Sequence, residues 1–306
     1  MKYKAYVGTY TTSLSKGIYS FDYQDKKISN VKLFANCQNP KYLTFVNDNI
    51  ATVCEHTQNA GICIFNPYGK EIDRLTYENK ASCFIAYNKT YLYTVNYHEG
   101  TFNVISTIPS LKLVAQVKIA PFAGCHQVIF YHHLFLIPCL CIDKIIVIDD
   151  SYKIIAEILL PKGSGPRHAV LSYDERYLYV VGELNNKLYV IDLKYMKIVN
   201  QLNLLANSDT QNKGAAAIRI CNDYLYVSIR YQDVISIMKI KNKQVQRIKV
   251  LKSYGQHPRD FIVQDHHLFI LNRMSNNLIL YDLNNDHPQQ KIFIPEGIAL
   301  IMKEVL

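Results

Sequence analysis

The feature that most constrains this chain is an internal repeat. A short apolar strand, one or two polar residues, a tight turn and a second apolar strand recur seven times, as AYVGTYTTSLSKGIYSFDY, IATVCEHTQNAGICIFN, YLYTVNYHEGTFNVIS, LFLIPCLCIDKIIVID, YLYVVGELNNKLYVID, YLYVSIRYQDVISIMK and LFILNRMSNNLILYD. Indexed at the polar position, the copies fall at Thr9, Glu55, Asn96, Cys139, Glu183, Arg230 and Arg273, with spacings of 46, 41, 43, 44, 47 and 43 residues. A β-rich period of about 40 to 50 residues marks the four-stranded blades of a propeller. The alternating pattern and the 24 tyrosines, with dense Val and Ile, exclude a solenoid of helical repeats.

The arithmetic also closes a ring. From Arg273 to the C-terminus is 33 residues and from Met1 to Thr9 is 9 more, together one further period. The sequence therefore predicts an all-β, seven-bladed β-propeller, a single domain over residues 1–306. Its ring closes where the C-terminal segments KIFIP and IALIMKEV share a blade with the N-terminal strand, which removes exposed sheet edges.

Upstream of the signature lies a second recurring segment: NPKYLTF, ASCFIAY, GCHQVIF, GPRHAVL, AAAIRIC and HPRDFIV. It reads as the strand before each signature strand. Innermost strands line a propeller's channel, so polar residues at matching positions form rings around one axis. His126, Arg167, His168, Glu183, Arg230, Arg259 and Arg273 sit at or beside the two repeat positions. The expectation is a cationic pocket with one carboxylate and one or two imidazoles.

Each of these residues also has a plain structural role to be weighed. Arginines tie blades together, His168 can serve packing, Glu55 and Asn96 can cap turns, and Glu183 among arginines can be a simple ion pair. Convergence favours a ligand, because several guanidinium groups at one mouth repel each other unless an anion or carboxylate sits among them.

The net charge of +9 has the same sense, and the lysines are dispersed without a dense basic block. That points to an anionic small molecule rather than to nucleic acid. The longest apolar run, Leu134 to Ile142, is about half a membrane span and contains a proline. The segment MKYKAYVGTY alternates like a strand and has no apolar signal core. No membrane association and a cytoplasmic location are expected. The eight cysteines (Cys37, Cys54, Cys63, Cys83, Cys125, Cys139, Cys141 and Cys221) are scattered and form no CxxC pair, so free thiols without disulfides are expected. The tandem histidines His132–His133 and His266–His267 fall at predicted turns, and neither a metal nor a cofactor is expected. A monomer or weak homo-oligomer is expected.

The chain resembles the lactonase family of seven-bladed propellers, which includes the propeller-type 6-phosphogluconolactonase and the carboxymuconate cyclase. The resemblance is carried by YVGTYT with GIYSF, NPKYL, VNYHEGTFNV, GCHQV, GPRHAVLSYDERYLYVVGEL, YLYVSIRYQDVISI and HPRDF with LNRMSNNLILYD. It implies active-site residues at His126, Arg167, Glu183 and Arg230. Two departures stand out. The segment PCLCID, with Cys139 and Cys141, replaces the family's Pro-Asp-Leu-Gly and leaves only Asp143 and Lys144 nearby, and Ile229 stands where the family commonly has Asn.

Lactone hydrolysis needs a base for water, a donor for the developing oxyanion and a proton for the ring oxygen. The residues offer Glu183 or His126 as base, Arg230 for the oxyanion, and Arg167 with Arg259 or Arg273, beside His168, to hold an anionic substrate. The resemblance implies hydrolysis of 6-phospho-D-glucono-1,5-lactone to 6-phosphogluconate, a step of the pentose phosphate pathway. A lactonizing cyclase acting on a muconate, and a propeller that only binds a partner, are the alternatives.

Overall fold

Apolar runs flanked by Asn, Asp and Gly turns build sheets throughout. The computed structural model describes residues 1–12, 14–206, 212–241 and 244–305. These form 28 strands, β1 to β28 in chain order, in seven four-stranded antiparallel sheets. The chain is therefore a seven-bladed propeller.

One blade explains the rest. β16 (Pro166–Leu171), β17 (Tyr177–Gly182), β18 (Lys187–Asp192) and β19 (Lys197–Asn203) pair in that order from the axis outward. The two middle strands are buried beyond their first residue because neighbouring blades cover both faces, which is why they read as unbroken apolar runs. The outermost strand is largely exposed. The core lies between blades: Tyr179, Val181 and Val190 pack against Leu225, Val227 and Ile229 of the next sheet. Each such buried aliphatic side chain contributes about 1.5 to 3 kcal/mol.

Six blades are continuous in sequence and the seventh is shared by the two ends. β28 (Gly297–Val305) pairs antiparallel with β1 (Lys2–Thr9), from Lys2–Val305 to Thr9–Gly297, in a sheet ordered β28, β1, β2 (Gly17–Gln24), β3 (Lys27–Asn36). One part of the expected closure is corrected. KIFIP does not join this blade, because Lys291 to Phe293 belong to β27 (His287–Phe293), the outer strand of the preceding blade. That blade needs KIFIP as its fourth strand, which leaves IALIMKEV alone to close the ring.

The polar ring read from the sequence also shifts by one residue. The signature strands end at the pairs Glu55–Ala60, Asn96–Thr101, Cys139–Lys144, Gly182–Lys187, Ile229–Val234 and Asn272–Asn277. Glu183, Arg230 and Arg273 thus open the turns, level with His56, Tyr97 and Leu140, and are not level with Glu55, Asn96 and Cys139. Since side chains alternate along a strand, one residue of slip reverses the direction in which a side chain faces.

In five of these six turns the fourth residue is left-handed, at Gly100, Asp143, Asn186, Asp233 and Asn276, with φ of 66°, 54°, 52°, 56° and 52°. Asp and Asn tolerate that conformation, and here their side chains also act. Asp143 accepts the Gly163 and Gly165 N–H groups at 2.8 Å and the Ser164 hydroxyl at 3.0 Å. Asn186 Oδ1 accepts the Gly214 and Ala215 N–H groups at 2.9 Å, Asp233 that of His257 at 2.6 Å, and Asn276 that of Glu296 at 2.8 Å. Each of these four turns clasps the segment entering the next innermost strand, which fixes the backbone just before the residues that face the channel.

Candidate active site

The innermost strands bring equivalent residues to one level at the channel mouth. Lys41, Cys83, His126, Arg167, Arg259 and Ile298 line a cavity of about 30 Å³, with Tyr42, His168 and Asp260 one residue further along and Tyr10 also in its wall. In the AAAIRIC blade the small Ala216 leaves room, and its carbonyl accepts Arg167 Nη1 at 2.7 Å.

Beside this level, Glu183 bridges two arginines. Its Oε1 lies 2.6 Å from Arg230 Nη2 and its Oε2 lies 2.8 Å from Arg167 Nε. The Arg167 contact is one of charge without hydrogen-bond alignment. Arg230 Nε is fixed by the Gly214 carbonyl at 3.1 Å. Burial lowers the Arg167 guanidinium to about 10 against the raising effect of Glu183, so it remains a cation at neutral pH. One carboxylate shared by two guanidinium groups leaves the cluster positive.

Further cations gather around it. Arg259 Nη2 donates to the Tyr10 hydroxyl at 3.2 Å, and Arg259 Cζ lies 5.5 Å from the ring centroid. Arg273 stacks over the same ring at 4.6 Å, but its Nε is bound to Glu296 at 2.9 Å, so it meets the cavity wall through Tyr10. Lys41 pairs with Glu55 at 2.5 Å. Burial raises the Glu55 carboxyl, but Lys41 and Asn39 outweigh it and hold the group below the usual range. Glu55 is therefore an ion-pair partner, whereas Asn96 does cap its turn by accepting the N–H groups of His98 and Glu99 at 3.0 and 2.9 Å.

The imidazoles are buried among these charges. The His126 and His168 rings meet edge to face at 5.1 Å, and His168 also packs edge-on against Tyr42 and Phe84. Among the described residues, His126 Nδ1 and both ring nitrogens of His168 have no hydrogen-bond partner. Burial, then the charge of Arg167, pushes both groups well below the usual histidine range. Burial and Arg230 lower His257 to about 3. All three are neutral at neutral pH.

A stability consequence follows with a definite sign. A histidine depressed in the folded state binds its proton more readily when unfolded, so folding stability is lost as pH falls below about 6.5. Each such group contributes a slope of up to about 1.4 kcal/mol per pH unit. Urea unfolding between pH 7.5 and 5 should show this loss, and His168→Gln should flatten it by about one proton's worth. A wild-type stability independent of pH over that range would contradict the assignment.

Sequence reasoning missed Tyr10, Lys41 and His257. Tyr10 opens the turn after β1, as Glu183 opens its own, and Lys41 stands in NPKYL where His126 stands in GCHQV, so aligning the repeats at the corrected register finds both. The cysteine departure lies off the cavity: Cys139 is buried with its Sγ 3.5 Å from that of Cys125. Asp143 serves as a clasp, Lys144 pairs with Glu157 at 2.6 Å, and Ile229 is buried in the core.

Comparison with known proteins agrees with this fold. A family model described as "Lactonase, 7-bladed beta-propeller" matches residues 4–290. A 6-phosphogluconolactonase of Bacillus subtilis is 27% identical over 328 positions, covering 93% of this chain and 92% of that protein. Among solved structures, a Lactobacillus plantarum protein superposes with a TM-score of 0.90 at 24% identity, covering 99% of this chain and 100% of the other. The periplasmic gluconolactonase of Pseudomonas aeruginosa gives 0.87 at 21%, with both chains covered completely. At such identities the superpositions speak to fold, and the family match, which spans more than nine-tenths of the chain, carries membership: the chain belongs to the lactonase family of seven-bladed β-propellers.

Proposed function

We propose that this chain hydrolyses a sugar lactone carrying an anionic group, 6-phospho-D-glucono-1,5-lactone, to the open acid in the cytoplasmic pentose phosphate pathway. The observation that carries this reading is the gathering of Lys41, Arg167, Arg230 and Arg259 around a neutral His126 at one mouth. An anion at that mouth offsets their mutual repulsion. The Bacillus subtilis relative's name supports the substrate.

Both Glu183 oxygens are engaged by arginines, so its part is to hold them, and His126 is the base. Its imidazole takes a proton from water as the oxygen bonds to the acyl carbon. Arg230 and Arg167 face the resulting oxyanion. Collapse breaks the acyl–oxygen bond of the ring, and the imidazolium returns its proton to the departing oxygen. The cavity beside His126 has room for a water-sized nucleophile. Lys41 and Arg259 take the substrate's phosphate.

The experiment is a lactonase assay coupled to 6-phosphogluconate oxidation, run beside glucono-1,5-lactone followed by acid release. A charged hydrogen bond to the phosphate is worth about 1.5 to 3 kcal/mol, so kcat/KM should favour the phosphorylated lactone by about 10- to 100-fold. Equal rates on the two would overturn the phosphate assignment, and no hydrolysis of either would overturn the lactonase reading.

A further inference from the structure

Three cysteines, Cys37, Cys54 and Cys63, meet at the joint between the closing blade and the one that follows it. Cys54 and Cys63 face each other diagonally across β5 (Asn49–Glu55) and β6 (Ala60–Phe65), since Cys54 pairs with Gly61 and Cys63 with Thr52. Cys37 follows β3 directly and is held there by its N–H to the Lys16 carbonyl at 3.1 Å. The three Sγ atoms lie within 4.8 Å of one another, with Cys54 and Cys63 at 2.7 Å, and His56 Nε2 is 3.6 Å from Cys54 Sγ. Tyr6, Ile18, Leu43, Ile50 and Phe65 pack around the thiols. None of these groups lines the catalytic cavity.

We propose that Cys37, Cys54, Cys63 and His56 form a tetrahedral site for one Zn²⁺ ion that ties the closing blade to its neighbour. Zinc bonds of about 2.3 Å to sulfur and about 2.0 to 2.1 Å to imidazole nitrogen imply tetrahedron edges of about 3.6 Å for N···S and about 3.8 Å for S···S. The His56–Cys54 separation equals the first, and Cys54 and Cys63, now 2.7 Å apart at sulfur, part by about 1 Å to reach the second as the ion enters. Three thiolates and a neutral imidazole leave the loaded site with one negative charge, and the displaced thiol protons go to solvent. The Arg74 guanidinium, paired with Glu71 at 2.5 Å, lies beside the site. Arg74 Nη1 lies 2.7 Å from His56 Nε2, and the side chain is 41% exposed, so it can leave that nitrogen to the metal and remain beside the site.

A disulfide is the competing use of these thiols. Diagonal positions on adjacent strands are about 7 to 8 Å apart, beyond the range of about 4.4 to 6.8 Å that a disulfide usually spans. The two Sγ atoms are nonetheless 2.7 Å apart, and what favours a metal ion is that it also engages Cys37, which a Cys54–Cys63 disulfide leaves out.

The site is independent of the lactonase reading, and so is its test. The full chain, reduced and purified without chelator, should hold about one zinc per chain by elemental mass spectrometry. Replacing zinc with Co²⁺ should give the visible ligand-field bands of tetrahedral thiolate coordination. Cys37→Ser and His56→Asn, chosen because both residues are only part-buried, should each weaken zinc by more than about 100-fold, exceeding what changes around a ligand produce. Chelator should lower the wild-type Tm by several degrees through lost ligand binding. Less than a tenth of an equivalent of zinc with no cobalt bands would overturn the proposal, as would zinc uptake unchanged in both variants. A Cys54–Cys63 disulfide found by peptide mapping, in protein that binds no zinc after reduction, would also overturn it.

Discussion

His126→Asn should lower kcat for the phosphorylated lactone by about 10² to 10⁴-fold, the usual worth of a positioned base. Arg230→Ala should follow at about 10² to 10³-fold, because it removes a donor aimed where charge develops. Arg167→Ala, which removes the second donor facing the oxyanion, should likewise act chiefly on kcat. Glu183→Gln separates the two roles that the sequence left open for Glu183. If the carboxylate were the base, this variant would be as inactive as His126→Asn. Because both its oxygens hold arginines, the smaller loss of a weakened clamp is expected. Steady-state kinetics on variants with native circular dichroism decide the matter. Unchanged activity in all four would remove the catalytic reading and leave a propeller that only binds.

Ending the chain at Glu296 should abolish folding. It removes β28, the innermost strand of the closing blade, together with the buried Ile298, Ala299 and Leu300. Burial of the Ile and Leu side chains is worth about 1.5 to 3 kcal/mol each, and the ladder along the whole of β1 goes with them. The Leu300 N–H also donates to Asp260 Oδ2 at 2.9 Å, and Asp260 holds Arg219 at 2.5 Å, so the loss reaches the channel's inner polar layer. A domain stable by about 5 to 15 kcal/mol cannot absorb that sum. Gel filtration and near-ultraviolet circular dichroism should report aggregated or unstructured protein. Leu300→Ala, by comparison, should fold with a loss of about 2 to 5 kcal/mol. A monomeric, cooperatively unfolding truncated chain would refute the part assigned to β28.

The blades were legible because strands covered on both faces leave unbroken apolar runs at a fixed period, and the turns between them are marked by Asn, Asp and Gly. The ring also closed by counting. The count could not tell that KIFIP completes the preceding blade, since an outer strand and a closing strand have similar composition. At the site, His126, Arg167, Glu183 and Arg230 were reached through repeat position and resemblance, but Glu183 was placed one residue out of register. Polar residues run on past the strand end there, and only the pairing of Gly182 with Lys187 fixes where the strand stops. Tyr10 was missed because its turn is longer than the others. The three-cysteine cluster was hidden because Cys37 belongs to a different blade from Cys54 and Cys63, so no spacing rule joins them.

The pairing of Lys2 with Val305 also bears on how the molecule comes into being. In polymer terms it closes a loop of nearly the whole chain, at an entropic cost of about 5 kcal/mol for that length alone. Every other blade can form from neighbours in sequence, whereas this one has to wait for the two most distant segments to meet. Contacts of such long sequence separation slow folding. Tyr10 and Ile298, on either side of that junction, both line the cavity, so an open ring has no finished pocket.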